Sequence, residues 1–172
     1  MSIGPTRDLG PCEVWYNGAK VGEYFETVQF QHSDNDADVF EASQGVTPVD
    51  SIRIGMGPCL ATVPFTRTSE ADLAIITPGG SHSSGGATSG NVRVYNNQIG
   101  RSEYDGSAEL ILKPIVDSAV SNSQYWLTIP HAAPSADYSL EYDSAKQRIY
   151  NVKFKGFPDA TTKEVWRVGP IT

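Results

Sequence analysis

The strongest constraint on the fold is a rhythm of short β-rich runs cut by Gly and Pro. Residues 12–16 (Cys-Glu-Val-Trp-Tyr) lead into Asn17-Gly18 and a second short run at 19–23. Asn-Gly between two such runs predicts a two-residue hairpin, because both central residues of that turn need positive φ. The chain continues extended over 24–32, with Val28, Phe30 and His32 on one face and Thr27, Gln29 and Gln31 on the other. Residues 51–56 alternate with Ile52, Ile54 and Met56 on one side. Residues 59–66 alternate with Cys59, Ala61, Val63 and Phe65. Pro64 marks this run as an edge strand or a strand end, since proline brings no N–H to a ladder.

One segment breaks the rhythm. Residues 69–77 read as a helix, with Ser69 as N-cap and Glu70 and Asp72 in the first turn at the positive end of the helix dipole. Pro78-Gly79-Gly80 ends it. So short a helix is unstable alone, so Leu73 and Ile76 must dock on a sheet. Residues 81–90 are rich in Gly and Ser and are expected to form a flexible loop. Strands then return at 91–95, 108–115, 124–129 (stopped by Pro130), 138–142, 148–154 and 163–168. The pair 138–142 and 148–154 is expected to join through a turn at 143–146. The sum is about ten strands and one helix, a mainly β fold: a β-sandwich or barrel with one short packed α-helix. A single domain is expected over 12–172, preceded by an N-terminal arm at 1–11.

Composition narrows the function classes. A chain of 172 residues buries a core without disulfide or metal staples. Hydrophobic residues at 39% and aromatics at 10% argue against disorder. Thirteen basic against twenty acidic side chains give a net charge of -7, which argues against a protein that grips nucleic-acid phosphate. The imbalance lies wholly in residues 1–90, which hold 11 acids and 4 bases, whereas 91–172 hold 9 of each. Between 21 and 52 stand Glu23, Glu26, Asp34, Asp36, Asp38, Glu41 and Asp50, with no Lys or Arg. Such a stretch is either a solvated acidic face or a surface that repels a polyanion. Neither a signal-peptide pattern nor a membrane-length apolar run is present, and Cys12 and Cys59 fall in no C-x-x-C pair. Free thiols and cytoplasmic folding are the expectation.

Chemistry is sparse. Of the three histidines, His82 sits in the Gly/Ser stretch, and His32 and His131 flank strands. No G-x-S-x-G is present, so a hydrolase using His32 or His131 is a minor reading. Asp34-Asn-Asp36-Ala-Asp38 begins like a calcium loop, but Val39 and Gly45 stand where an EF-hand needs Gly and Glu. Gly55-Met-Gly57 is followed by Leu60 where a dinucleotide fingerprint needs a third Gly. Trp15, Trp126 and Trp166 fall in expected strands, where core packing competes with a sugar-binding face. No catalytic, cofactor-binding or metal-ligating residues are therefore expected.

The order of features resembles the tail tube proteins (major tail proteins) of long-tailed bacteriophages. The likeness runs through the Gly/Pro-rich arm, the hairpin Glu13-Val-Trp-Tyr-Asn-Gly18, Val21-Gly22, a strand with Val28 and Phe30, and an acidic loop. It continues through Gly45-Val-Thr-Pro-Val-Asp50, Ile52-Arg-Ile-Gly55, a strand at 60–65 and the helix at 69–76. It ends with the strand at 149–154, Phe157-Pro-Asp159, a late strand and Gly169. The Gly/Ser stretch has no counterpart in the family. The resemblance implies a structural subunit, not an enzyme, that forms hexameric rings stacked into a tube for DNA. It also implies contacts to neighbouring subunits and rings through residues 1–11 and 31–45, partnership with other tail proteins, and a place in the virion after assembly in the host cytoplasm. A conduit for DNA must not bind it, and sixfold repetition would turn a modest acidic excess into a strong ring of charge. Glu23, Glu26, Asp34, Asp36, Asp38 and Glu41 are the lumen or inter-ring candidates. Other virion structural roles (tail terminator, hub, head decoration) and a carbohydrate-binding β-sandwich are the alternatives.

Overall fold

A tight turn begins the sheet. In the computed structural model, which describes residues 11–24, 27–43, 45–67, 69–83, 92–94, 99–116, 119–136 and 149–170, Asn17 and Gly18 take φ of 52° and 76°. They join β1 (Cys12–Tyr16) to β2 (Ala19–Lys20), with Tyr16 opposite Ala19. The expected hairpin is therefore present, for the expected backbone reason.

Chain order continues through β3 (Glu23–Tyr24), β4 (Gln29–Val39), β5 (Asp50–Arg67), α1 (Glu70–Ile76), β6 (Gly80–His82) and β7 (Val92–Val94). It then runs through β8 (Ala108–Val116), β9 (Ala119–Val120), β10 (Leu127–Ala136), β11 (Tyr150–Phe157) and β12 (Arg167–Val168). Ten strands form one antiparallel network in the order β2-β1-β8-β10-β11-β5-β3, with β4 on β5, β12 on β10 and β9 on β8. β6 and β7 form a separate pair. The architecture is mainly β, a sandwich with a single short helix, as the alternation and turn spacing predict.

The core follows the alternation. Cys59, Ala61, Val63 and Phe65 of β5 are buried, as are Val152 and Phe154 of β11 and Leu110 and Leu112 of β8. Tyr16 reaches across the core: its ring lies 5.2 Å from that of Phe154, and its hydroxyl donates to the Ala132 carbonyl at 3.1 Å. In α1, Ser69 Oγ accepts from the Asp72 N–H at 3.1 Å, the cap expected from sequence. Ile76 is fully buried, and Leu73 packs on the core.

Several expectations are corrected. Residues 51–56 and 59–66 are not two strands but one, the 18-residue β5. Gly57 and Pro58 do not interrupt it, because they occupy a register shift: His32 pairs with Cys59 but Asp34 with Met56. A Cβ on Gly57 would lie 2.4 Å from Ser33 Oγ, so only glycine allows that approach. Pro64 does not end its strand. It pairs with Asn151 of β11 on one side, and on the other falls between Thr62, paired to β4, and Phe65, paired to β3.

Pro130 does not stop β10 either. The register with β8 shifts between Ile129 and Ala132, a bulge in which a missing N–H costs no ladder bond. Before β10, residues Ser123–Tyr125 form a 3-10 turn instead of strand. The Gly/Ser stretch starts inside a strand, since Ser81 and His82 belong to β6. Late in the chain only Arg167–Val168 is strand, and Lys163 has a φ of 60°. The expected pairing of 138–142 with 148–154 lies outside the described residues; within them β11 is held between β10 and β5.

Two substitutions test this account. Phe154→Ala empties a fully buried site between β10 and β5 and is expected to cost about 3–5 kcal/mol in urea unfolding. Gly57→Ala is expected to cost roughly 1–3 kcal/mol, as the new methyl displaces Ser33.

Candidate functional site

β4 and β5 run past the body of the sheet. Over 59–65, β5 is covered by β11 on one side and by β4 or β3 on the other. Over 50–56 its only partner among the described residues is β4. The result is a two-stranded arm that begins at the Gly57 bulge. A lone hairpin is marginally stable in water and leaves both its edges unpaired.

The arm is apolar where a solvated hairpin would be polar. Ile52, Ile54, Met56, Phe40, Val46 and Val49 are all exposed large hydrophobics, with Ile54 at 68% and Val46 at 93%. These six are more than half of the exposed large hydrophobics among the described residues. Their concentration on one projection makes it the leading candidate for an interaction surface. The sequence reading saw the alternation at Ile52, Ile54 and Met56 but not its exposure. The missed signal lies in the partner strand. Opposite these residues β4 offers Asp34, Asn35, Asp36, Ala37 and Asp38, which cannot form the other half of a core.

Among the acids, Asp34, Asp36 and Asp38 lie along β4, and Glu41 follows in the arm's loop. Asp34 is not a free charge: Arg53 and His32 both contact it, His32 through Nε2 at 3.3 Å. The Arg53 hydrogen bond, with help from the positive charge of Arg53, lowers the Asp34 carboxyl below its ordinary range. Asp36, Asp38 and Glu41 have no ion-pair partner among the described residues. Glu23 stands apart. Its backbone lies opposite Arg67 in the strand register at the far end of β5, up to roughly 45 Å of strand away from Arg53. Glu26 lies outside the described residues. The acids are thus a cluster on the arm plus a distant Glu23.

The other candidates show no reactive chemistry. Ser107, His131 and Asp159 do come together, with Ser107 Oγ 3.1 Å from His131 Nδ1 and His131 Nε2 3.1 Å from Asp159 Oδ2. The sequence gives no local motif for this trio, which is assembled from three distant segments. Ser107 is not set up as a nucleophile, because its hydroxyl donates to the Tyr104 carbonyl at 2.6 Å. His32 has a buried Nδ1 without a partner and packs edge-on to Trp166 at 5.8 Å. Cys12 and Cys59 are free, and burial pushes both thiols up to about 11, far from the reactive thiolate. Among the described residues no group of three or more His, Cys, Asp or Glu is placed to hold a metal ion.

Trp15 and Trp126 are neither buried core residues nor an open sugar platform. Lys113 Nζ lies 3.5 Å over the Trp15 ring and 4.2 Å over the Trp126 ring, so the chain's own ammonium fills the space between them. Burial lowers the Lys113 pKa, opposed by Glu13 and Glu109. Trp126 and Trp166 precede strands and do not lie within them. Trp166 packs at the core edge, its ring 5.3 Å from Phe30.

Neither the known protein families nor the curated proteins contain a match to this chain.

A pH experiment checks the local electrostatics. The Asp159 carboxyl is held well below the usual range, chiefly by the Thr162 and Thr161 N–H groups and then by His131. A lowered carboxyl pKa stabilises the fold above the unfolded value of about 3.9, and that contribution is lost as pH falls through the folded value. Asp159→Asn should therefore flatten the fall in unfolding midpoint between about pH 5 and pH 2, relative to the unsubstituted protein.

Proposed function

We propose that the chain is a structural subunit of a bacteriophage tail tube, which forms stacked hexameric rings around a lumen for DNA. The observation that supports this most directly is the β4–β5 arm, an apolar, two-edged projection that gains stability only by covering itself with another surface. The resemblance in feature order places the family's neighbour-contacting segment at 31–45, and the arm overlaps it. On this reading a second copy of the chain is the partner and the arm seats on a different patch of its neighbour, the geometry that closes into rings or continues into filaments.

A carbohydrate-binding module has less support, since the best aromatic pair is occupied by Lys113. Tail terminator, hub and head-decoration roles share the same structural character and differ in what they stack upon.

Electron microscopy and analytical ultracentrifugation of the purified protein test the proposal. Rings or tubes are expected, and a monomer at all accessible concentrations would refute it. Ile54→Asp with Met56→Asp should abolish assembly while shifting the monomer's unfolding by less than about 1 kcal/mol, because both side chains are exposed. The acids are best tested with Asp36→Lys and Asp38→Lys, leaving Asp34 to its Arg53 contact. This pair should impair assembly or DNA delivery more than folding; normal infectivity would remove the acids from the lumen or inter-ring role.

A further inference from the structure

We propose that His131 is a proton-dependent pin joining the 103–107 turn to the 159–164 turn, engaged when both ring nitrogens carry a proton. The argument is a count of donors and acceptors. Asp159 Oδ2 faces Nε2 at 3.1 Å, and an ionised carboxylate can only accept. Its other oxygen accepts from the Thr161 and Thr162 N–H groups at 2.8 and 2.7 Å and from Thr162 Oγ1 at 3.1 Å. On the opposite side, Ser107 Oγ faces Nδ1 at 3.1 Å. The Ser107 hydroxyl proton is already directed to the Tyr104 carbonyl at 2.6 Å, so this oxygen presents a lone pair to the ring. Both nitrogens therefore meet acceptors, and only an imidazolium satisfies both.

The surroundings suit a cation. The Tyr104 ring stacks on His131 at 4.8 Å with an interplanar angle of 28°, and Phe157 meets Tyr104 edge-on at 6.2 Å. The Tyr104 hydroxyl accepts from the Ala160 N–H at 3.2 Å, which gives a second tie between the two turns. The charged groups on the packed elements are already engaged. Lys155 of β11 pairs with Glu103 at 3.1 Å, Lys163 donates to the Ala160 carbonyl at 2.7 Å, and Glu164 and Glu109 contact Arg167. Asp105 is exposed in the turn that carries Tyr104 and Ser107. Loss of either ring proton leaves two acceptors face to face, or pulls the Ser107 hydroxyl away from Tyr104. The neutral ring that keeps Nε2–H on Asp159 loses one hydrogen bond on the Ser107 side, and loss of its positive charge weakens the Nε2–Asp159 bond as well, so the ties to both turns loosen together.

Hydrogen exchange of the full chain, read on peptides covering 101–107 and 158–164 and corrected for intrinsic rates, tests the pin. Measurements at about pH 5.5 and 8.5 bracket the ordinary imidazole range. Both turns should open about tenfold more readily at the higher pH, the scale of one charge-assisted hydrogen bond that is partly exposed. H131Q should make both peptides insensitive to pH over this range. S107A, which keeps the ring but removes one acceptor, should at least halve the pH effect and serves alone if H131Q does not fold. No pH effect in the unsubstituted protein, or the same effect in either variant, would overturn the proposal.

Discussion

β5 must satisfy two environments with one backbone. Over 59–65 it buries alternate side chains between neighbouring strands, and over 50–56 it emerges with only β4 beside it. Burial of residues such as Val63 and Phe65 is worth about 1.5–3 kcal/mol each, so the register of the body cannot slip. A one-residue shift would turn the whole buried set to solvent. Because β5 continues unbroken, that register also dictates which residues the arm presents. The bulge at Gly57 permits a change of direction without loss of this coupling, since the ladder resumes at Met56 opposite Asp34. The arm is thus an extension of the core and not a loop attached to it.

Local physics was readable from the sequence wherever one short segment contained the whole cause. Asn17-Gly18 needs no tertiary partner to make its turn, and Ser69 caps α1 through an N–H three residues away. The alternation at 59–65 is readable because period two puts Cys59, Ala61, Val63 and Phe65 on one face without help from any other segment. Prolines were misread for the opposite reason. Whether Pro64 or Pro130 ends a strand depends on what the neighbouring strand requires at that point, and bulges and gaps between partners remove the requirement. The Lys113 clamp and the Ser107, His131 and Asp159 trio were invisible for a related reason. Their members come from segments far apart in the chain and meet only after the sheet forms.

The acidic stretch also changes meaning with the fold. In sequence it is a single run without Lys or Arg. In the structure Arg53, one residue beyond that run, folds back across the hairpin onto Asp34. Glu23 is removed to the other end of β5, and Asp36, Asp38, Glu41 and Asp50 remain as the arm's acids without an ion-pair partner among the described residues. The candidates therefore divide into one internally compensated acid, three that face outward, and Glu23, which belongs to a different part of the molecule.

This division bears on how an apolar arm coexists with a net charge of -7. Two opposing tendencies share one projection: exposed Ile54, Met56 and Val46 favour contact, and unpaired Asp36, Asp38 and Glu41 oppose the approach of another acidic surface. The ranges differ. Apolar attraction acts only on contact, whereas charge repulsion extends about 8 Å at physiological salt. On the tube reading, a separated copy would be kept away from most surfaces, and only one that offers both apolar cover and a neutral or basic rim would close the distance. Outside residues 21–52 the chain contains as many bases as acids, so on the tube reading the receiving surface lies outside that acidic stretch. The same repulsion would hold off a polyanion without preventing such a contact, because phosphate brings negative charge and no apolar face in return.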